Sequence, residues 1–139
     1  MIILDTNVLS ALMDDAPAAV VTSWLNGQPA SSIWTTAVTL FEIRLGLLIM
    51  PVGRRRASLE HDFRRCLTEI LQERIADFDQ AAAEETAELH ARRRREGRTQ
   101  ELRDAMIAGI AIAHRATLAT RNARHFADLP VPVIDPWAD

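Results

Sequence analysis

The sequence predicts an α/β fold around a central, mostly parallel sheet of five strands, and three observations lead there. Short apolar or β-branched runs alternate with segments of helical period, the order that lays helices over a parallel sheet. The first run, Ile2, Ile3 and Leu4, lacks the alternation of a half-exposed strand, so it reads as a strand buried on both faces. Residues 103–115 are rich in Ala and Ile with little polar surface, which places that helix in the middle of the fold.

In order, Met1–Leu4 is the first strand, ending at Asp5, Thr6 and Asn7. A helix over Ala18–Leu25 carries Val20, Val21, Trp24 and Leu25 at helical spacing; Pro17 suits its first position, and Gly27-Gln28-Pro29 ends it. Ser31–Thr35 is the second strand. Thr36 then caps a helix running towards Met50, which Pro51 and Gly53 terminate. Residues 55–72 form a long amphipathic helix with Leu59, Phe63, Leu67, Ile70 and Leu71 on its inner side. Ile75–Phe78 is the third strand, and Asp79 caps a helix that stops at Gly97. Thr117–Thr120 is the fourth strand, Asn122–Phe126 a helical turn, and Val131–Ile134 the fifth strand. No internal repeat or linker interrupts the chain, and 139 residues suit a single domain spanning 1–139.

Composition narrows the function. No apolar run is long enough for a membrane span, and the opening residues lack the basic stretch and cleavage site of a signal peptide, so a soluble cytoplasmic protein is expected. The single cysteine, Cys66, excludes an internal disulfide and a Cys-rich metal cluster. All 16 basic residues are Arg. Without Lys there is no P-loop and no Schiff-base chemistry. The net charge of −3 argues against a generally basic surface that wraps nucleic acid. Arg runs at 54–56, 64–65 and 92–95, with Arg98 nearby, can still meet phosphates locally, although solvated helix faces account for such runs equally well.

Three carboxylates fall where carboxylates are costly. Asp5 ends the first strand, and ligands of open parallel sheets bind outside the carboxyl ends of strands; Asp is also a favoured helix N-cap, which explains it more simply when taken alone. Glu42 shares a helical face with Val38, Leu45 and Ile49, where an unpaired charge costs several kcal/mol, so it is either a ligand or half of an ion pair with an Arg. Asp104 shares a face with Ile107, Ala108 and Ala111, and its simpler explanation is the favourable field near a helix N-terminus. A site for a hard divalent cation such as Mg²⁺, which binds oxygen ligands, explains all three together.

The segments "MIILDTNVLS", "TTAVTLFEIRLGL", "RDAMIAGIAIAHRATLATRNARHF" and "VIDPW" resemble, in order and spacing over nearly the whole chain, those of PIN-domain proteins. The likeness is to VapC-type toxins of toxin–antitoxin pairs, especially the FitB-like branch. It implies a PIN-like three-layer α/β/α sandwich and an endoribonuclease dependent on Mg²⁺ or Mn²⁺, which hydrolyses RNA phosphodiester bonds through a metal-activated water and leaves a free 3′-hydroxyl. It carries metal binding onto Asp5, Glu42 and Asp104, and implies a homodimer silenced by a small, DNA-binding antitoxin in a heterotetramer or larger assembly. Many relatives have a fourth acid in the stretch that here reads "TRNARHF"; this chain offers Asn122 and His125, with Asp128 the next acid. Asn122 is accordingly an auxiliary catalytic candidate, whose amide can orient a water or touch a phosphate oxygen without adding charge. Two other functions fit less well. A PIN-like binding module with weakened catalysis would act by occupying RNA or the antitoxin. A haloacid-dehalogenase-type phosphatase would need an Asp at position 7, where Asn7 stands, and a late Lys.

Overall fold

The computed structural model describes residues 1–98 and 101–138. Five strands, β1 (Ile2–Leu4), β2 (Ile33–Thr36), β3 (Ile75–Ala76), β4 (Thr117–Ala119) and β5 (Val133–Ile134), form one sheet in the order β3-β2-β1-β4-β5. Every pairing is parallel, so the sheet is more uniform than the sequence suggests. The strands are also shorter than their apolar runs, because ladder bonds form only where the register overlaps; β1 and β4 meet over Ile2–Thr117, Ile3–Leu118 and Leu4–Ala119.

Among the described residues, six α-helices cover both faces: α1 (Thr6–Leu12), α2 (Ala19–Asn26), α3 (Ala37–Ile49), α4 (Arg54–Arg65), α5 (Gln80–Arg95) and α6 (Leu102–His114). Successive strand side chains point to opposite faces. Leu4 and Ala119 accordingly join one core with Val8, Leu9, Val21, Ile43, Phe63 and Leu71. Ile3 and Leu118 join the other with Ala82, Leu89, Ile107, Ile110 and Phe126. These are the three layers of an α/β/α sandwich.

Caps and breakers act largely as the sequence indicates. Thr36 caps α3 by accepting from Thr39 N at 3.0 Å, and Asp79 caps α5 by accepting from Ala82 N at 3.0 Å. Pro17 lies outside α2, whose cap is Ala18. The long helix after Gly53 is regular only to Arg65; it widens into a π turn at Cys66–Ile70, where Leu71 N donates to Cys66 O at 3.0 Å and Leu71 becomes fully buried. Cys66 is buried, Sγ facing Leu12 O at 3.7 Å, and burial pushes its thiol up to about 11, so it acts as a small core residue.

The α5–α6 crossing needs a residue without Cβ. A Cβ at Gly109 would stand 1.9 Å from Thr86 Oγ1 and 2.8 Å from Ala82 O, and the Thr86 hydroxyl is fixed by donating to Ala82 O at 2.7 Å. Gly109→Ala is therefore expected to destabilise the protein by ~1–3 kcal/mol through overpacking. Thr86→Ala in the same background should recover part of that loss, read as urea midpoints. Wild-type stability in Gly109→Ala would show that the two helices separate freely.

Candidate functional site

The chain runs from β1 through β2 to β3 on one side of the sheet, then returns to β4 and β5 on the other side of β1. That reversal opens a crevice at the carboxyl ends of β1 and β4, the place where open parallel sheets hold ligands. Asp5 stands there with 4% of its surface exposed. Its backbone N–H extends the ladder by donating to Ala119 O at 2.9 Å, and its position is the N-cap of α1. Cap and crevice carboxylate are thus one residue. Oδ1 accepts from Thr6 N at 2.8 Å, and Oδ2 accepts from the buried Thr120 hydroxyl at 2.8 Å.

Glu42 reaches the crevice from α3. Its Oε1 accepts from Thr6 Oγ1 at 3.1 Å, and Oε2 lies 3.8 Å from Arg103 Nη1. The apolar face predicted around it divides: Val38 is buried, whereas Leu45 and Ile49 are exposed, so Glu42 sits at the rim rather than inside the core. Asp104, in the first turn of α6, is half-buried above Ala108 and Ala111, which are fully buried.

Fields tie the three acids together. Burial pushes the Asp5 carboxyl up to about 6 against hydrogen bonds from Thr120 and Thr6 that lower it, and the negative charges of Asp104 and Glu42 push it further in the same direction. Glu42 and Asp104 are raised as well, each chiefly by desolvation; the Thr6 hydrogen bond and Arg103 lower Glu42 in part, and His125, Arg93 and Arg103 lower Asp104 in part.

Two hydroxyl systems hold Asp5 and Glu42 in ways the sequence did not reveal. Thr120 Oγ1 donates to Asp5 and receives Asn122 N at 3.1 Å and Asn7 Nδ2 at 3.4 Å; Asn7 Oδ1 in turn receives Arg121 N at 3.2 Å. Thr6 Oγ1, besides holding Glu42, lies 3.1 Å from Thr39 Oγ1, which Thr36 Oγ1 approaches at 3.3 Å. These partners lie 33 to 115 residues apart along the chain, apart from local pairs such as Thr36 with Thr39, so no local pattern reveals them.

The residues beyond β4 separate into two groups. Asn122 is exposed at the start of the 3₁₀ turn Ala123–Phe126, with its backbone N–H held by Thr120. Asp128 is instead paired with arginines. Arg93, 1% exposed in side chain, grips it through Nε at 3.0 Å and Nη2 at 2.9 Å, and Arg98 Nη1 adds a bond at 2.9 Å. These cations hold the Asp128 carboxyl down at about 2. With Arg92 Nη2 also 3.7 Å from Asp128 Oδ2, three members of the 92–98 Arg cluster hold this turn, while Arg94 and Arg95 stay exposed.

The donor set suits a hard cation: carboxylate oxygens, with no thiol nearby. Among the described residues, no three Asp, Glu, His or Cys side chains already enclose a position for an ion. Mg²⁺ does not require such a cage, because it keeps several waters and takes only one or two carboxylates. A buried, mutually repelling set of acids is what a divalent cation relieves.

The PIN domain model matches residues 2–132 of this chain. The chain is 37% identical to the plasmid stability protein StbB of Pseudomonas syringae pv. tomato over 99% of each chain. It is 34% identical to the VapC ribonuclease Y4jK of Sinorhizobium fredii over 99% of this chain and 98% of that one. It is 30% identical to the toxin FitB of Neisseria gonorrhoeae over the whole of both. Among solved structures, FitAB bound to an IR36 DNA fragment superposes with a TM-score of 0.88 at 29% identity, covering 100% of this chain and 97% of that chain.

Asp5 and Asp128 act on stability at opposite ends of the pH scale. With its folded value raised to about 6, Asp5 contributes stability below the ordinary 3.8 that is lost as pH rises through about 6. With its folded value lowered to about 2, Asp128 contributes above 3.8 and loses that contribution as pH falls through about 2. Asp5→Asn should stabilise the cation-free protein at pH 8 by ~1–3 kcal/mol and change it little below pH 4. Asp128→Ala should destabilise it at pH 7 by ~3 kcal/mol, because Arg93 is left buried and unpaired. Urea unfolding across pH measures both, and an Asp5→Asn protein no more stable than wild type at pH 8 would overturn the first.

Proposed function

The chain belongs to the PIN-domain family, and we infer that it is the toxin of a toxin–antitoxin pair, a metal-dependent endoribonuclease that hydrolyses RNA phosphodiester bonds. One observation carries this: carboxylates from β1, α3 and α6 share a single electrostatic field at the switch point of a parallel sheet. The resemblance to a VapC ribonuclease and to toxin FitB over the full length of the chain supports the reaction and the biological class.

The cation would be Mg²⁺, or Mn²⁺ in its place, and Asp5 and Asp104 would hold it, with Glu42 acting directly or through water. When bound, it supplies a water of lowered pKa and positive charge for the phosphate oxygens. The chain's own residues do the rest. Thr120 and the Thr6 N–H fix both Asp5 oxygens, so the carboxylate is aimed before any ligand arrives. Thr6 does the same for Glu42. Asn122 offers a neutral amide at the rim and supplies no charge for a second ion, so any second cation is weak or arrives with the RNA phosphate.

Partners follow from the surface. The helical spacing of apolar residues over 18–25 and 55–72 leads to the expectation of a partner on those helices, yet Val20 is the one exposed large hydrophobic between them among the described residues. Phe41, Leu45, Leu48, Ile49 and Val52 gather exposed apolar surface on α3 and just beyond it, with Ile49 at 76% and Val52 at 91%. Such a surface marks a protein interface. We assign it to a homodimer bound by a small, DNA-binding antitoxin in a heterotetramer or larger assembly, in line with the FitAB complex on DNA. No helix among the described residues is long and apolar enough to cross a membrane. A cytoplasmic location, where RNA and antitoxin are made, follows from the toxin reading.

Asp5→Asn, Glu42→Gln and Asp104→Asn should each lower Mg²⁺-dependent RNA cleavage by at least about 10³-fold with the fold intact. Thr120→Val should lower it about 10–100-fold through misaimed Asp5. Asn122→Ala should lose no more than about 10-fold, and Asn122→Asp should tighten Mn²⁺ binding. Full cleavage by Glu42→Gln would remove Glu42 from the site. Calorimetric titration with Mn²⁺ separates a nuclease from a catalytically weak binding module, which would take up the ion poorly. The interface is tested by sedimentation: wild type should run as a dimer at micromolar concentration and Leu45→Glu/Leu48→Glu as a monomer.

A further inference from the structure

The arginines near the crevice differ in what occupies them. Arg92, Arg93 and Arg98 are taken up by Asp128. The Arg121 guanidinium lies over the Trp137 ring, 4.6 Å from its centroid. Arg103 alone among the described arginines forms an ion pair with one of the three crevice acids. It precedes Asp104 in the first turn of α6, 44% of its side chain is exposed, and it stands with Thr6 and Glu42 along an open groove. At 3.8 Å from Glu42 Oε2, Nη1 is in ionic contact but too far for a hydrogen bond. Its positive charge acts on Glu42 and on Asp104 together.

A half-exposed guanidinium held only loosely by a carboxylate is easily displaced, since exposed pairs contribute little stability. A divalent cation drawn to Glu42 competes for the same oxygens and repels Arg103. Guanidinium groups match phosphate oxygens, and the nearest phosphate in this protein's proposed reaction is that of the RNA. We propose that Arg103 is a substrate-binding residue controlled by the divalent cation: without the cation it neutralises Glu42, and once Glu42 is engaged it turns to a non-bridging oxygen of the RNA phosphate. This rests on the nuclease reading of the same site. Because RNA and cation then help each other through one side chain, the coupling is reciprocal.

The test measures RNA affinity with and without a cation, independently of turnover. Purified full-length protein is titrated into a labelled single-stranded RNA, either in EDTA or in Ca²⁺, with the RNA checked as intact afterwards. Arg103→Ala should weaken binding about 3–10-fold in Ca²⁺, with a salt slope shallower by about 1, and less than about 2-fold in EDTA. By calorimetry it should also bind Mn²⁺ more tightly than wild type, because a competing positive charge is gone. Arg103→Lys should keep part of the Ca²⁺-dependent affinity. Glu42→Gln should bind RNA better than wild type in EDTA, since Arg103 is then released without any ion. An equal loss for Arg103→Ala in EDTA and in Ca²⁺, or no loss in either, overturns the hand-over. A wild type that shows the coupling yet never cuts RNA in Mg²⁺ removes the nuclease reading and keeps the arginine. One that cuts RNA without the coupling does the reverse.

Discussion

Burying the Asp5 carboxylate between the ends of β1 and β4 takes a charge out of water, and an uncompensated transfer of that kind costs several kcal/mol. The surroundings are arranged to limit this without removing it. Two N–H and O–H donors, Thr6 N and Thr120 Oγ1, satisfy one lone pair on each oxygen. Among the described residues no cation forms an ion pair with Asp5; the charges of Asp104 and Glu42 raise it further. A core acid kept for stability alone would have a guanidinium against it, as Asp128 has in Arg93. The contrast between these two aspartates separates a carboxylate held ready for a ligand from one already spent.

The rest of the fold supports that choice. β1 is only Ile2–Leu4, yet it is central in the sheet and flanked by parallel partners on both sides, so its end is among the most constrained points of the backbone. Asp5 sits at the junction of β1 and α1 and Glu42 rides on α3, and both are oriented by hydroxyls whose own positions are fixed. Thr39, for example, is buried and donates its N–H to the Thr36 cap, so the Thr6–Glu42 contact inherits the rigidity of the α3 N-terminus. Carboxylates prepared in this way lose little freedom when a ligand arrives, which is how a scaffold adds affinity and rate without new contacts.

How much of this could be read from the sequence depended on the range of the signal. The period of α3 and α6 and the end of the first apolar run brought Asp5, Glu42 and Asp104 into view, because strand ends and helix faces are local properties. The caps Thr36 and Asp79 were legible for the same reason. What stayed hidden required partners far apart in the chain. Thr120 looked like the end of a strand and is the donor that aims Asp5, 115 residues away. Arg93 looked like one more member of a solvated run, and its burial follows from an acid 35 residues on. Glu42 was read as deep in an apolar face because helical period gives neighbours but not depth; Leu45 and Ile49 are apolar and face outward. α1 was hidden too, since seven residues directly after a strand give only two turns of pattern.

The charge of the crevice also explains why an amide at position 122 is tolerable. Three carboxylates face it, and Arg103 offsets one of them from its rim position. A single divalent cation, as proposed, would offset the charge of the other two. A fourth carboxylate at 122 would restore a net negative charge and oppose an approaching phosphate unless a second cation came with it. Asp128, the nearest acid beyond, cannot move in to play that part without abandoning Arg93 in the core, where an unpaired guanidinium would be severely destabilising. The pattern of Asn122 outside and Asp128 clamped is therefore consistent within itself. It is the charge balance that the proposed centre requires, with one divalent ion beside Asp5 and Asp104 and the Arg103 guanidinium beside Glu42.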